Sequence, residues 1–441
     1  MADSTRRPAA PRPYVFTNAN VVDVVAGTVQ KNSTVHISNG QIISITSSDG
    51  ALSAEMSDDA TIIDLQGRYL TPGLIDCHVH LVAVPGSGDF GAAFGNPNDV
   101  SVLRQPYVCG QMLYRGFTTV RDCGGATLAL KAAIAEGVFP GPRVFIAGRA
   151  LSQTGGHADL RGSHKGSGPI CCGDVAEGLL GRLCDGLAEC MRTTRDELRR
   201  GADFIKIMGS GGVSSPTDRI EQLQFMSKEI RSIVACAGNA KTWVTAHAYT
   251  AEAIRHCVEN GVRGIEHGNY IDAATAKLCA EKGVFLTPTL VTYATMANSK
   301  WKDFLPADLA AKNETVLAAG LESLEIASEA GVTLCYGSDL LGPLGTAQLE
   351  EFTLQARVQS PVEVLQSATV NAAKLLRIEN SVGQVREGFE ADLLVMARNP
   401  LQDVTIFDQP EQNVVGIIKQ GRIYKSRWGG LVEDVGLQPT V

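Results

Sequence analysis

Between Pro72 and about Leu376 the chain repeats one pattern, a short apolar segment followed by a helical stretch. GLIDCHVH, GFTTVRD, RVFIAGRAL, DFIKIMGSGG, WVTAHAY, RGIEHG, VFLTPTL and VTLCYGSD make eight such segments. Stretches such as TTRDELRRGA, TAEAIRHCVENG and DAATAKLCAEKG lie between them, several closing on the glycine that a helix C-terminus favours. Eight strand–helix units in succession predict an α/β fold, a (β/α)8 TIM barrel, which gathers its chemistry at the C-terminal strand ends. A doubly wound open sheet is the alternative, but no GxGxxG or GxxxxGK(S/T) follows any strand.

Outside this span the rhythm changes. YVFTNANVVDV, STVHISNGQIISIT and ATIIDLQGRYL alternate apolar and polar residues around turn formers, and ADLLVMARNP and NVVGIIKQGRIYKS do the same near the other end. The two ends are expected to pair into a small β-sandwich domain, residues 14–70 plus 385–426, with the barrel at 71–384. Residues 1–13, charged and rich in proline with no apolar stretch behind them, predict a disordered arm and no secretory signal. The tail at 427–441, RWGGLVEDVGLQPTV, is too apolar for a solvated end and is expected to dock on a neighbouring subunit. Two long glycine-rich loops, 81–100 and 152–175, are expected to act as lids. They carry Phe90, Phe94 and Leu160 either into the pocket for an acyl group or into lid anchors.

A formal charge of −8 leaves no broad basic surface, so nucleic acid and anionic membranes are poor partners and a small molecule is the better one. No apolar run reaches membrane-spanning length. Eleven cysteines without a CxxC pair, two of them adjacent at Cys171 and Cys172, suit a reducing, cytoplasmic setting.

His78 and His80 stand two apart on the first barrel strand, so they share a face. They read as zinc-type ligands or as a hydrogen-bonded pair. His247, His267 and Asp339 each end a later strand, on the face where barrel chemistry collects; Asp339 alone could instead cap the next helix. Phe204, Lys206 and Met208 share one face of their strand, which sends a lysine into the barrel. Such a lysine is either paired with a carboxylate such as Asp339, or loses its proton on burial and adds carbon dioxide to become an anionic carbamate ligand. By strand alternation Glu266 points to the helix layer. Asp76 lies deeper on the face of His78 and can support a ligand, Asp122 orders a loop or supports a ligand rather than binding metal itself, and His256 is a surface residue.

The set His78-x-His80, Lys206, His247, His267 and Asp339, in that order, resembles the binuclear metal-dependent amidohydrolase superfamily. LTPGLIDCHVH and GQVREGFEADLLVM are similar to the segments by which such chains enter and leave the barrel, and the resemblance runs from Tyr14 to Ser426. ALSQTGGHAD, GADFIKIMGSGGV, VTAHAYT and GIEHGNYID look most like the imidazolonepropionase-related branch that contains Xaa-Pro dipeptidases (prolidases) and fungal ochratoxinase. Imidazolonepropionase itself lacks the bridging lysine, so Lys206 favours the dipeptidase-like side.

The resemblance implies two divalent metal ions, zinc by default. His78, His80, carbamylated Lys206 and Asp339 would hold one, and the same carbamate with His247 and His267 the other. It implies a hydroxide shared by the metals, Asp339 as general base and then acid, and Asp339, Lys206 and His247 as the catalytic set. His157 and Tyr249 would hold a substrate carboxylate, unless His157 only orders its loop and Tyr249 only closes the barrel. The expected reaction is hydrolysis of an amide to an amino acid with a free carboxylate: an N-acyl amino acid, an ochratoxin-like amide or an Xaa-Pro-type dipeptide. The alternatives are cyclic-amide, lactone or phosphoester hydrolysis at the same site, or a non-catalytic scaffold, which typically lacks ligands that are all present in this sequence. A one-metal deaminase has no use for Lys206. Homo-oligomers, octamers included, occur among the similar enzymes.

Overall fold

The structure, a computed structural model, describes residues 11–47, 59–86, 89–90, 97–161 and 180–434. Strands from both ends of the chain meet in one eight-stranded sheet. Its members are β1 (Tyr14–Asp23), β2 (Thr28–Ser38), β3 (Gln41–Ser47), β4 (Thr61–Asp64), β5 (Tyr69–Pro72), and three strands contributed from beyond residue 390. The link between the ends is the antiparallel pairing of Leu393–Met396 with β5, Leu394 opposite Thr71. Inward residues such as Phe16, Val35, Ile37, Leu70, Leu393 and Ile418 form a separate apolar core beneath this sheet.

Gly73 alone separates β5 from β6 (Leu74–Val79), where the alternation of strands and helices begins. A Cβ at this position would stand 2.2 Å from Thr118 Oγ1, so only glycine lets the two strands meet so closely. β6 pairs in parallel with β7 (Phe117–Asp122), and β7 with β8 (Arg143–Ile146). A second parallel group contains β9 (Ala150–Ser152), β10 (Gly181–Leu183), β11 (Ile205–Met208), β12 (Val244–Thr250), β13 (Gly264–Tyr270), β14 (Phe285–Thr287) and β15 (Thr333–Leu334). Helices such as Ser227–Asn239, Ala251–Glu259 and Ala273–Glu281 alternate with these strands. Their apolar faces pack with Ile205, Ile207, Val244, Ala246 and Ile265 in a core outside the sheet.

The strand–helix alternation read from the sequence is present, but the strand pairing forms groups of three and seven rather than one closed ring. RVFIAGRAL, expected as one strand, is two, because Gly148 turns the chain at φ +68° between β8 and β9. At the other seam the last strand has only two residues. Beyond it, single backbone bonds from Cys77 N to Tyr336 O and from Asp339 N to His78 O, both 2.8 Å, tie the chain to β6.

As far as residue 434 the tail packs on this chain itself. Leu431 is buried in this chain's own terminal sheet, and Asp434 accepts hydrogen bonds from Tyr14 Oη and Ile423 N. The rest of the tail, residues 1–10 of the arm, Phe94, Cys171 and Cys172 lie outside the described residues. The nine described cysteines are free and buried, and among the described residues no helix is long and apolar enough to cross a membrane.

Candidate active site

Asp76, inside β6, fixes the first pair of histidines. Its Oδ1 accepts the backbone N–H groups of His78 (3.0 Å) and Ser338 (3.1 Å), and its Oδ2 accepts Ser338 Oγ (2.6 Å) and Gln348 Nε2 (2.9 Å). One buried carboxylate thereby joins the strand of His78 to the residue before Asp339. Asp339 Oδ1 comes to 3.4 Å from His78 Nε2 and 3.2 Å from His80 Nε2. Two ligands each ~2.1 Å from a tetrahedral ion stand ~3.4 Å apart, so Asp339 is at ligand spacing from both histidines and the three side chains together could hold one divalent cation.

The other ring nitrogens are already engaged. His78 Nδ1 faces Glu266 Oε2 at 2.9 Å and His80 Nδ1 faces the Gly124 carbonyl at 3.1 Å. Both partners only accept, so each Nδ1 donates and each Nε2 keeps its lone pair for a metal. His247 is tied the other way round, Nε2 to the Gly211 carbonyl at 3.2 Å, which leaves Nδ1. His267 Nδ1 lies 2.7 Å from Thr289 Oγ1 and 2.8 Å from Tyr293 Oη. Burial pushes His78 down to about 4 and holds His247 and His267 well below the ordinary histidine value, the neutral state that ligation requires. At His80 burial acts in the same direction but is outweighed by Asp339, and its pKa rises. Burial would raise Asp339; His78 and His80 outweigh it and hold that carboxylate far below its usual range.

Glu266 corrects the expectation from strand alternation. It points inward, fully buried, with Arg121 Nη2 at 2.7 Å from both its oxygens and the Thr245 hydroxyl donating to Oε1. His267 still reaches the centre because its backbone sits at φ +75°, which breaks the alternation and brings two successive side chains to one side. Burial would raise the Glu266 pKa, but Arg121 and Lys206 overcome it and keep the carboxylate charged.

Lys206 is 1% exposed and lies within the same wall. It has no described hydrogen bond or ion pair, and the pairing with Asp339 is not formed; Asp339 faces the two histidines instead. His78, His80, Lys206, His247, His267 and Asp339 all line one cavity. The ring centroids of His247 and His267 are 4.6 Å apart, and those of His78 and His267 5.1 Å.

His157 and Tyr249 line the cavity too. His157 stacks on His247 with centroids 4.1 Å apart, and its Nδ1 is 2.8 Å from Ser215 Oγ. Tyr249 Oη meets Tyr293 Oη at 2.8 Å. Phe90 and Leu160 are in the wall as well. Asp122 orders the loop after β7 through the backbone N–H groups of Leu81, Gly124 and Ala126. His256 is half-buried rather than a surface residue, its Nε2 3.0 Å from the Phe225 carbonyl. Tyr293, Arg121 and Ser215 were not singled out from the sequence, and no spacing there distinguishes them.

Residues 69–424 match the amidohydrolase family. The chain belongs to that family. This amidohydrolase is 31% identical over 376 residues to ochratoxinase from Aspergillus niger, covering 81% of this chain and 75% of the relative. A solved prolidase complexed with N-methylphosphonate-L-proline superimposes with a TM-score of 0.88 at 40% identity, over 94% of this chain and 100% of the other. A solved Xaa-Pro dipeptidase with methionine bound in its active site gives 0.83 at 29% identity, again over 94% and 100%. The chain is accordingly a hydrolase acting on amide or peptide bonds.

Proposed function

We propose that this amidohydrolase cleaves the amide between an acyl group and an amino acid with a free carboxylate, with two divalent metal ions held by the six side chains of the cavity. The convergence of His78, His80 and Asp339 at ligand spacing, beside a buried lysine with no hydrogen bond or ion pair among the described residues, carries the reading. His78, His80 and Asp339 would hold one ion, His247 and His267 the other, and Lys206, as its carbamate, would bridge them. Zinc is the default for this donor set. The substrate class is supported by the ligands of the solved relatives, a proline derivative and methionine, and by the ochratoxinase relative. The same reading takes residues 71–384 as the catalytic barrel and 14–70 with 385–426 as a β-sandwich.

Bound divalent ions would polarise the scissile carbonyl and acidify a water toward pKa ~7. The chain's own residues would do the remainder. Asp339 takes the proton of the attacking water and delivers it to the leaving nitrogen, so the amine departs neutral. His157 and Tyr249, next to His247 and His267, orient the end of the substrate that bears the carboxylate. The test is a screen of Xaa-Pro dipeptides, N-acyl amino acids and a lactone with metal-loaded protein. Release of free amino acid from the amides is expected, and turnover of the lactone alone would overturn the assignment.

A further inference from the structure

Beyond the metal set, the described cavity wall combines apolar side chains, among them Phe90, Leu180, Met208, Val213, Met296 and Leu341, with the polar side chains of His157, Ser214, Tyr249, Thr292 and Tyr293. Of its described lining residues only Lys206 and Asp339 belong to the Lys, Arg, Asp and Glu types, and both are in the proposed metal set. The charges just behind the wall are consumed within the protein. Lys312 Nζ donates to the carbonyls of Gly212 (3.3 Å), Ser215 (3.1 Å) and Asp218 (2.8 Å), which pins the segment that presents Val213. Asp218 is itself buried, accepting from Ser215 Oγ and from Gln224 Nε2 (2.9 Å). Arg161, next to Leu160, is held by both oxygens of Asp159 at 2.6 Å. Phe90 is anchored too, its N–H donating to the Phe304 carbonyl at 2.8 Å and its ring edge-on to Phe304.

We propose that the amide substrates are flanked by neutral, apolar groups, and that the cavity rejects acidic and basic side chains because, with His157 and Tyr249 given to the substrate carboxylate, its described wall offers no further countercharge. The inference rests on the amide-hydrolase reading and narrows its substrate class. Burying an unpaired charge against such a wall is costly, whereas each buried methylene is favourable and raises the specificity constant about fourfold. Metal-loaded enzyme is to be assayed with N-acetyl-L-leucine, N-acetyl-L-phenylalanine, Nα-acetyl-L-lysine and N-acetyl-L-aspartate, reading the free amino acid. The leucine and phenylalanine amides are expected to exceed the lysine and aspartate amides in kcat/KM by roughly 100-fold.

Hexanoyl-L-leucine should be cleaved faster than acetyl-L-leucine at equal low concentration. The substitution Met296→Glu places a countercharge in the wall and is expected to raise the lysine-to-leucine ratio of kcat/KM at least tenfold. Lysine or aspartate amides cleaved within threefold of the leucine amide would overturn the inference while leaving the amide-hydrolase reading intact. So would an unchanged ratio in a folded Met296→Glu variant; should that variant not fold, the wild-type panel decides. No release from any of these amides would sink the functional reading and this inference with it.

Discussion

His78 Nδ1 and Glu266 Oε2 stand 2.9 Å apart, both side chains all but excluded from solvent. Glu266 fixes the tautomer of His78 and is itself held by Arg121, so a three-residue chain runs from the cavity into the centre of the strands. Glu266→Gln keeps the shape and removes the charge. It is expected to weaken metal binding about 10–100-fold. It leaves the buried Arg121 without its counterion and should cost on the order of 3–5 kcal/mol of stability. Chelator competition and thermal melts measure the two effects, and wild-type metal affinity in this variant would remove Glu266 from the support of the site.

Lys206→Ala removes the proposed bridge. The variant should lose much of its metal and at least about 100-fold in kcat/KM, with partial recovery when a short carboxylic acid is added to stand in for the carbamate. Activity close to wild type without such an additive would contradict the role given to Lys206.

Asp339→Asn separates binding from proton transfer. Some metal should stay bound through the histidines, while kcat falls about 10²–10⁴-fold with the loss of the general base and acid. A change in kcat of less than threefold in metal-loaded protein would take Asp339 out of that step.

Glu351 is buried, accepting from Val291 N at 2.6 Å and Gln355 Nε2 at 2.9 Å, and burial pushes it up to about 8. The folded state therefore keeps a proton that the unfolded chain gives up above its ordinary value of 4.5. Stability from this group is fully present below that value and is lost as pH rises toward 8. Asp76 and Asp122, both pushed up to about 6 by burial, act in the same sense only at lower pH. Between pH 6 and 8, denaturant titrations should show Glu351→Gln gaining roughly 2 kcal/mol on the wild type. A difference independent of pH would show that Glu351 does not titrate in this window.

The residues that share the cavity were legible because they depend on few assumptions: two-residue spacing brings His78 and His80 together, and the same spacing in DFIKIM sends Lys206 inward with Ile205 and Ile207 on the helix side. Glu266 was misread because the left-handed backbone at His267 is invisible to a two-residue period. The break in the third strand did have a sign, the glycine within RVFIAGRAL. Leu431, by contrast, looks like an interface residue in one dimension and becomes a core residue only once Gly416 lies beneath it. Tyr293 reaches His267 from the helix Leu290–Met296, a contact set by the turn after β14 rather than by any repeat in the sequence.

Elemental analysis of wild-type protein, purified with divalent metal and freed of loosely bound ions, tests the central claim most directly. Two tightly bound divalent ions per chain are predicted. A chain that binds none, while still releasing amino acid from an amide, would contradict the account.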